Sequence, residues 1–266
     1  MNRIDQAFER LRSENARALI AYLTAGDPAP DRTTELVLAL EAGGADIIEL
    51  GVPFSDPIAD GPVIQRASDR ALAAGATLSG VLEIIKQIRA ESEVPLVVFS
   101  YLNPVLRYGF EKFAEDAAKA GADGALLTDL NIEAADPYLA EMRRHGLATI
   151  FLGSQTTSDE RMQRVAKASS GFLYLVSMAG VTGTRTTLSD QAIPLLERAR
   201  KATDLPLAIG FGLSKPEHMR AVAPHAEGAI VGSAFMRLVE EADGAGDLAD
   251  RLRNLAAELK EGLRLG

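Results

Sequence analysis

The apolar positions of this chain fall into short runs separated by stretches of helical period. The runs are Ala18–Leu23, Asp46–Gly51, Leu96–Tyr101, Gly124–Asp129, Thr149–Gly153, Phe172–Ser177, Leu207–Gly210 and Ala229–Gly232. Most are near-continuous Ile, Val, Leu and Ala rather than alternating. That pattern belongs to strands covered on both faces, as in a parallel sheet under helices. The stretches Phe110–Ala120, Glu133–His145, Ser158–Ala168, Ser189–Ala202 and Lys215–Val222 read as helices, as does the segment from Asp31 to Ala42. Pro216 sits just inside the start of its helix, where a missing N–H costs little. Three phrases, Gly43-Gly44-Ala45-Asp46, Gly121-Ala122-Asp123-Gly124 and Ala226-Glu227-Gly228, each close a helix and open a strand. Eight such βα units over roughly 230 residues predict an α/β protein built as a (β/α)8 (TIM) barrel, one domain over 1–266, with an open doubly wound sheet as the alternative. Met1–Ser13 predicts an extra N-terminal helix, with Ile4, Phe8 and Leu11 on one face as a lid for the barrel floor. An additional C-terminal helix, Asp247–Leu263, carries Leu248, Leu252, Leu255 and Leu259 as a packing stripe.

Composition narrows the chemistry. A chain of 266 residues buries enough surface to stand without disulfide or metal. It has no cysteine, which excludes thiol nucleophiles, disulfides and zinc–thiolate sites. The net charge of −9 and the lack of a Lys/Arg cluster argue against nucleic acid. No apolar run approaches the ~20 residues that span a bilayer, and the start of the chain lacks a signal-peptide layout, so a cytoplasmic protein is expected. An anionic ligand would have to be held by something other than bulk charge.

Two strand-to-helix loops are long: Val52 to about Gly61 after strand 2, and Met178 to about Ser189 after strand 6. Both leave the strand ends where barrel active sites lie. Glu49 ends strand 2 inside an apolar run and shares a face with Ile47. If that face is the barrel interior, desolvation makes Glu49 a general acid or base near neutral pH; the alternative is a structural ion pair. Asp60 precedes Gly61-Pro62, where a turn or cap role competes with catalysis. Gly180-Val181-Thr182-Gly183, Gly210-Phe211-Gly212 and Gly232-Ser233 follow strands 6, 7 and 8. The last two occupy the usual phosphate position of barrels, and Ser233 opens a helix whose N–H groups can bind an anion. The seven lysines, Lys86, Lys112, Lys119, Lys167, Lys201, Lys215 and Lys260, lie outside the strand runs, which leaves no Schiff-base lysine. His145, His218 and His225 lie away from strand ends, which leaves no imidazole cluster for a metal. Carboxylate acid–base chemistry remains.

The run from Glu49 to Pro62, ELGVPFSDPIADGP, resembles the signature of the tryptophan synthase alpha-subunit family. Gly180–Gly183 and Gly210–Ser214 are similar to that family in order and spacing, and the likeness covers essentially the whole chain. The resemblance implies reversible cleavage of indole-3-glycerol phosphate to indole and glyceraldehyde 3-phosphate, in tryptophan biosynthesis. It implies Glu49 as the acid–base group at the ring carbon and Asp60 as partner of the ring N–H. It also implies apolar contacts to the indole from Tyr22, Tyr101, Leu126 and Tyr174. Gly183, Phe211, Gly212, Gly232 and Ser233 would bind phosphate, and the loop with Thr182 would close over the substrate. No cofactor is expected on this chain. A beta subunit carrying pyridoxal phosphate is the implied partner, in an alpha2-beta2 complex, with Pro53, Asp56, Asn103 and Pro104 at the interface.

Three positions depart from the family pattern: Met178 where an arginine is common, Asn131 where a proline often stands, and Gln155 in place of a proline-containing phrase. All three lie on the lid or partner side, so closure is expected to depend less on the partner here. Competing readings are an isomerase or epimerase of a phosphorylated sugar, and a barrel kept only as an activating partner.

Overall fold

The computed structural model describes residues 2–177, 192–210, 212–242 and 246–264. Strands β1 (Ala18–Thr24), β2 (Ile47–Gly51), β3 (Leu96–Ser100), β4 (Gly124–Leu127), β5 (Ala148–Ile150), β6 (Leu152–Ser154), β7 (Leu173–Val176), β8 (Leu207–Gly210) and β9 (Gly228–Val231) form one sheet in the order β5-β4-β3-β2-β1-β9-β8-β7-β6. Every pairing is parallel. The helices are α1 (Arg3–Ser13), α2 (Thr33–Ala42), α3 (Pro62–Ala73), α4 (Leu78–Arg89), α5 (Leu102–Tyr108), α6 (Phe110–Ala120), α7 (Asp136–Arg144), α8 (Asp159–Ala168), α9 (Ala192–Ala202), α10 (Pro216–Val222), α11 (Ser233–Glu241) and α12 (Leu248–Glu261). This is the (β/α)8 barrel, nearly closed. Among the described residues no single helix is long and apolar enough to cross a membrane.

The fifth apolar run departs from expectation: it is two strands, not one. Ala148–Ile150 pairs with β4 and Leu152–Ser154 pairs with β7, with Phe151 between them. The staggered register of a barrel hands the chain from one neighbour to the next at this point. The side-chain alternation survives the hand-over, with Ile150 and Leu152 packing in the inner cluster and Phe151 in the outer one. Helices α4 and α5 are additional to the expected elements; Thr77 caps α4 by accepting from the Gly80 N–H.

Alternation divides the apolar residues into two cores. The outer core lies between strands and helices and includes Leu19, Ile48, Leu50, Val98, Phe113 and Phe235. The inner one fills the barrel with Ile20, Ile47, Val97, Leu126, Ile150, Ala208 and Ile230. Ile4, Phe8 and Leu11 of α1 join the inner cluster, and Phe8 meets Phe172 at 5.9 Å between centroids. The N-terminal helix therefore closes the barrel floor.

The helix-to-strand phrases carry a shared clip. The Asp46 N–H donates to the Leu19 carbonyl while the Asp46 carboxylate accepts from the Leu19 N–H. Asp123 does the same with Leu96, and Glu227 with Leu207. Ser170 repeats it on Thr149 through its hydroxyl. Each clip satisfies an N–H at a strand start that would otherwise be orphaned. Cations back the acidic ones: Arg10 and Lys260 at Asp46, Arg3 and Arg89 at Asp123, Arg200 at Glu227. Replacing Asp123 by alanine leaves the Leu96 N–H and the mostly buried Arg89 guanidinium without that acceptor. The expected loss is about 2–4 kcal/mol, read from urea unfolding, with Asp123→Asn losing less because its amide oxygen still accepts.

Candidate active site

At the C-terminal ends of the strands the interior turns from hydrocarbon to polar groups. Glu49 shares the inward face with Ile47, and its register neighbours are Tyr22 on β1 and Val97 on β3. Its side chain is fully buried. Both carboxylate oxygens are buried and have no hydrogen-bond partner among the described residues. Burial alone pushes its pKa up to about 8, so the carboxyl is largely protonated at neutral pH. The alternative reading, a structural ion pair, finds no partner for this residue among the described residues.

Asp60 lies at the end of the loop that leaves β2. Its Oδ2 accepts from the Tyr101 hydroxyl at 3.0 Å, and the same hydroxyl oxygen accepts from the Ala59 N–H at 2.9 Å. Burial raises its pKa to about 6, with the Tyr101 hydrogen bond pulling the other way. At neutral pH the two carboxyls thus differ in charge, Glu49 mostly neutral and Asp60 mostly ionised.

Aromatic rings surround the pair. Tyr22 meets Phe99 edge to face at 5.1 Å, and its hydroxyl lies 3.2 Å from the Thr24 hydroxyl. Burial, joined by smaller contributions from the Asp60 and Glu49 carboxyls, holds the Tyr22 and Tyr174 phenols well above their ordinary range. Phe54 packs on Tyr101 at 5.1 Å. Glycines make the room. A Cβ on Gly51 would collide with the Tyr22 hydroxyl, and one on Gly210 would stand 3.1 Å from the Tyr174 hydroxyl. A Cβ on Gly232 would lie 3.3 Å from the Tyr22 Cβ.

The structure thus brings Glu49, Asp60, Tyr22, Tyr101 and Tyr174 to one end of the barrel. Leu126 is fully buried in the inner cluster, in register with Phe99 on β3 and Ile150 on β5. Gly212 has φ +76°, a left-handed conformation that favours glycine. Gly232 and Ser233 open α11, whose start has no side-chain cap. Thr182, Gly183, Phe211 and Met178 lie outside the described residues. Pro53 is buried, while Asp56 and Asn103 are exposed and Pro104 is half-buried. Asn131 accepts from Arg161 at 3.4 Å, and the Gln155 amide donates to the Ser177 hydroxyl at 3.4 Å. Phe54, Phe99, Thr24 and Gln65 also belong to this region. Sequence reasoning missed them; the inward parity of Phe99 was the available signal. Among the described residues, no group of three or more His, Asp or Glu side chains is placed to hold a metal ion.

The fold is a (β/α)8 barrel, and two carboxyls of different charge lie at the C-terminal end of its sheet, where barrel enzymes carry their sites. Comparison with known proteins gives the particular family. Residues 8–264 match the family model described as tryptophan synthase alpha chain. The chain is 57% identical over 262 residues to the tryptophan synthase alpha chain of Solibacter usitatus, covering 98% of each, and 47% identical to that of Geotalea uraniireducens, covering 99% of this chain and 98% of the relative. Its structure is similar to tryptophan synthase subunit alpha from Legionella pneumophila, with a TM-score of 0.92 and 39% identity over 99% of this chain and 98% of that one. A chain of Mycobacterium tuberculosis tryptophan synthase gives a TM-score of 0.91 at 38% identity, covering 100% and 99%. The chain belongs to the tryptophan synthase alpha chain family. It is accordingly a lyase that cleaves indole-3-glycerol phosphate in tryptophan biosynthesis.

The buried acid has a signature in stability. Because the folded pKa of Glu49 stands above its unfolded value of about 4.5, the folded state binds the extra proton between pH ~4.5 and ~8. Stability from this group is fully present below the lower value and is lost as pH rises through the upper one. Glu49→Gln should therefore match wild type near pH 5 and exceed it at pH 9 by on the order of 3–5 kcal/mol. Thermal melts across that range check it; a difference that does not grow with pH would contradict the assignment.

Proposed function

We propose that Glu49 and Asp60 together carry the reversible cleavage of indole-3-glycerol phosphate to indole and glyceraldehyde 3-phosphate, with the whole chain, 1–266, acting as one barrel domain. Protonated Glu49 gives its proton to the ring carbon that bears the side chain. The ring becomes cationic, and ionised Asp60 accepts the hydrogen bond of the ring N–H and stabilises that charge. The Glu49 carboxylate, or a neighbour, then takes the proton of the adjacent glycerol hydroxyl. That carbon becomes the aldehyde as the C–C bond breaks, and the bonding pair returns to the ring to give indole. The ring is its own electron sink. The observation that carries this reading is the Glu49 carboxyl, dry, neutral at pH 7 and without a hydrogen-bond partner among the described residues, at the same end of the barrel as a charged Asp60.

Tyr22, Tyr101, Leu126 and Tyr174 would form the ring pocket. Gly183, Phe211, Gly212, Gly232 and Ser233 would bind the phosphate. The start of α11, where no side chain caps the helix, supports this, because the first N–H groups of a helix and its dipole favour an anion in a chain of net charge −9. The loop with Thr182 would exclude water. The partner in this reading is a beta subunit that carries pyridoxal phosphate and receives indole, in an alpha2-beta2 complex in the cytoplasm. Pro53, Asp56, Asn103 and Pro104 would face it. Ile58 and Leu106 leave neighbouring strands on the same side and are 85% and 55% exposed, apolar surface that suits a protein contact.

Two measurements test the reading. Purified chain incubated with indole and glyceraldehyde 3-phosphate should consume indole, and Glu49→Gln and Asp60→Asn should each lose at least about 100-fold in rate while keeping the wild-type circular dichroism. Either variant at normal turnover removes that residue from the mechanism. In the wild type, kcat/KM should follow a bell between about pH 6 and about pH 8. Activity falls below the lower limb as Asp60 gains a proton and above the upper limb as Glu49 loses its own.

The rim bonds Asn131–Arg161 and Gln155–Ser177 are made within the chain itself. They support a rim that depends less on the partner for its order. Rates with and without the beta subunit should differ only modestly; a large activation would refute this.

A further inference from the structure

The segment that carries Asp60 is poorly anchored by its own contacts. Ser55, Asp56, Ile58 and Ala59 are exposed, and the internal bonds are local ones: Ile58 N–H to the Asp56 carbonyl, Asp60 N–H to the Pro57 carbonyl, and the Ser55 hydroxyl to the Asp56 carboxylate at 2.6 Å. Among the described residues, two side chains from outside reach residues 53–60 by hydrogen bond. One is Tyr101, already described. The other is Gln65, on the first turn of α3. Its amide nitrogen donates to the Asp60 carbonyl at 2.8 Å and lies 3.4 Å from the Pro57 carbonyl. Both neighbours are acceptors, so the amide can sit in only one sense, NH2 toward the loop.

The helix that bears Gln65 is itself braced. Arg70, five residues on, grips the fully buried Asp27 carboxylate in a bidentate pair at 2.9 and 2.8 Å and reaches Glu240 of α11 at 3.2 Å. Arg66 holds the same Glu240 at 2.5 and 2.8 Å. Helix α3 is thereby fixed to the loop after β1 and to the helix after β9. A donor mounted on so constrained a helix can set the position of the loop beside it.

We propose that Gln65 is a positioning residue of this reaction, its amide fixing the main chain at Asp60 so that the carboxylate meets the substrate N–H. This rests on the role given to Asp60 above. Gln65 touches no reacting atom; it acts through the loop. Loss of its hold lets Asp60 drift toward water, and a displacement of about 1 Å at a reacting group can cost on the order of 100-fold in rate.

The test compares wild type, Asp60→Asn, Gln65→Met and Gln65→Glu in cleavage of indole-3-glycerol phosphate. Gln65→Met should lower kcat about 10-fold or more and leave KM within about twofold, since ring and phosphate contacts lie elsewhere. Gln65→Glu has the same shape but only acceptors when ionised, so at pH 8 it should lose at least as much; a packing role would spare it. In Gln65→Met the acid limb of kcat/KM should move below its wild-type position, because a more hydrated Asp60 loses the burial that raises it; Gln65→Glu adds a like charge that raises Asp60 and is read on kcat alone. Melting temperatures should stay within about 3 °C of wild type. Wild-type kcat in either variant, a loss confined to KM, or an unmoved acid limb in Gln65→Met overturns the proposal. If wild type does not cleave the substrate, or Asp60→Asn matches it, the reading of Asp60 fails instead. Should Gln65→Met not fold, the isosteric Gln65→Glu decides.

Discussion

A carboxyl group inside hydrocarbon must be paired, metal-bound or neutral. Glu49 stands at an inward position of a fully buried strand and, among the described residues, has no partner. It is therefore neutral over much of the physiological range, and the proposed role as proton donor draws on that neutrality. The features around it follow from keeping it dry. Phe99 and Tyr174 pack against the inner cluster, Tyr22 packs edge to face on Phe99, and α1 seals the other end. A carboxyl that needed only stability would be better replaced by leucine, so the energetic cost at Glu49 marks a site rather than a packing choice.

The second carboxyl shows the opposite solution. Asp60 sits on a loop rather than a strand, and hydrogen bonds from Tyr101 and Gln65 replace the rigidity that β2 gives Glu49. One acid is tuned by burial and the other by partial burial offset by a donor, which separates their pKa values to about 8 and about 6. Two chemically similar groups thereby acquire different charges within one pocket.

Much of this was legible in the chain. Near-continuous apolar runs gave the strands, and period-two alternation put Glu49 on the same face as Ile47 before any coordinate was known. The Gly-Ala-Asp phrases marked the strand starts, although only the structure revealed that Asp46, Asp123 and Glu227 are acceptors for a neighbouring strand. The split at Phe151 was not legible, because a change of pairing partner leaves the hydrophobic pattern untouched. Nor was the contact between Tyr101 and Asp60. Strand periodicity places Tyr101 at a rim, but the path of the intervening loop decides which group its hydroxyl meets. The short helix α5 carries too few turns for its period to stand out.

The four clips at the strand starts fall on alternate seams of the barrel. They join β1 to β2, β3 to β4, β5 to β7 and β8 to β9. Among the described residues, the seam of β2 with β3 is closed at that end by the backbone bond from the Ile48 N–H to the Pro95 carbonyl, and that of β9 with β1 by the backbone bond from the Ala18 N–H to the Glu227 carbonyl plus a single guanidinium contact, Arg17 on the Ala223 carbonyl. The wall is thus built of four stapled two-strand staves, and local opening should begin along the unstapled joints. Glu49 and Tyr22 belong to a single stave, so the acid and the ring beside it travel together when the wall breathes.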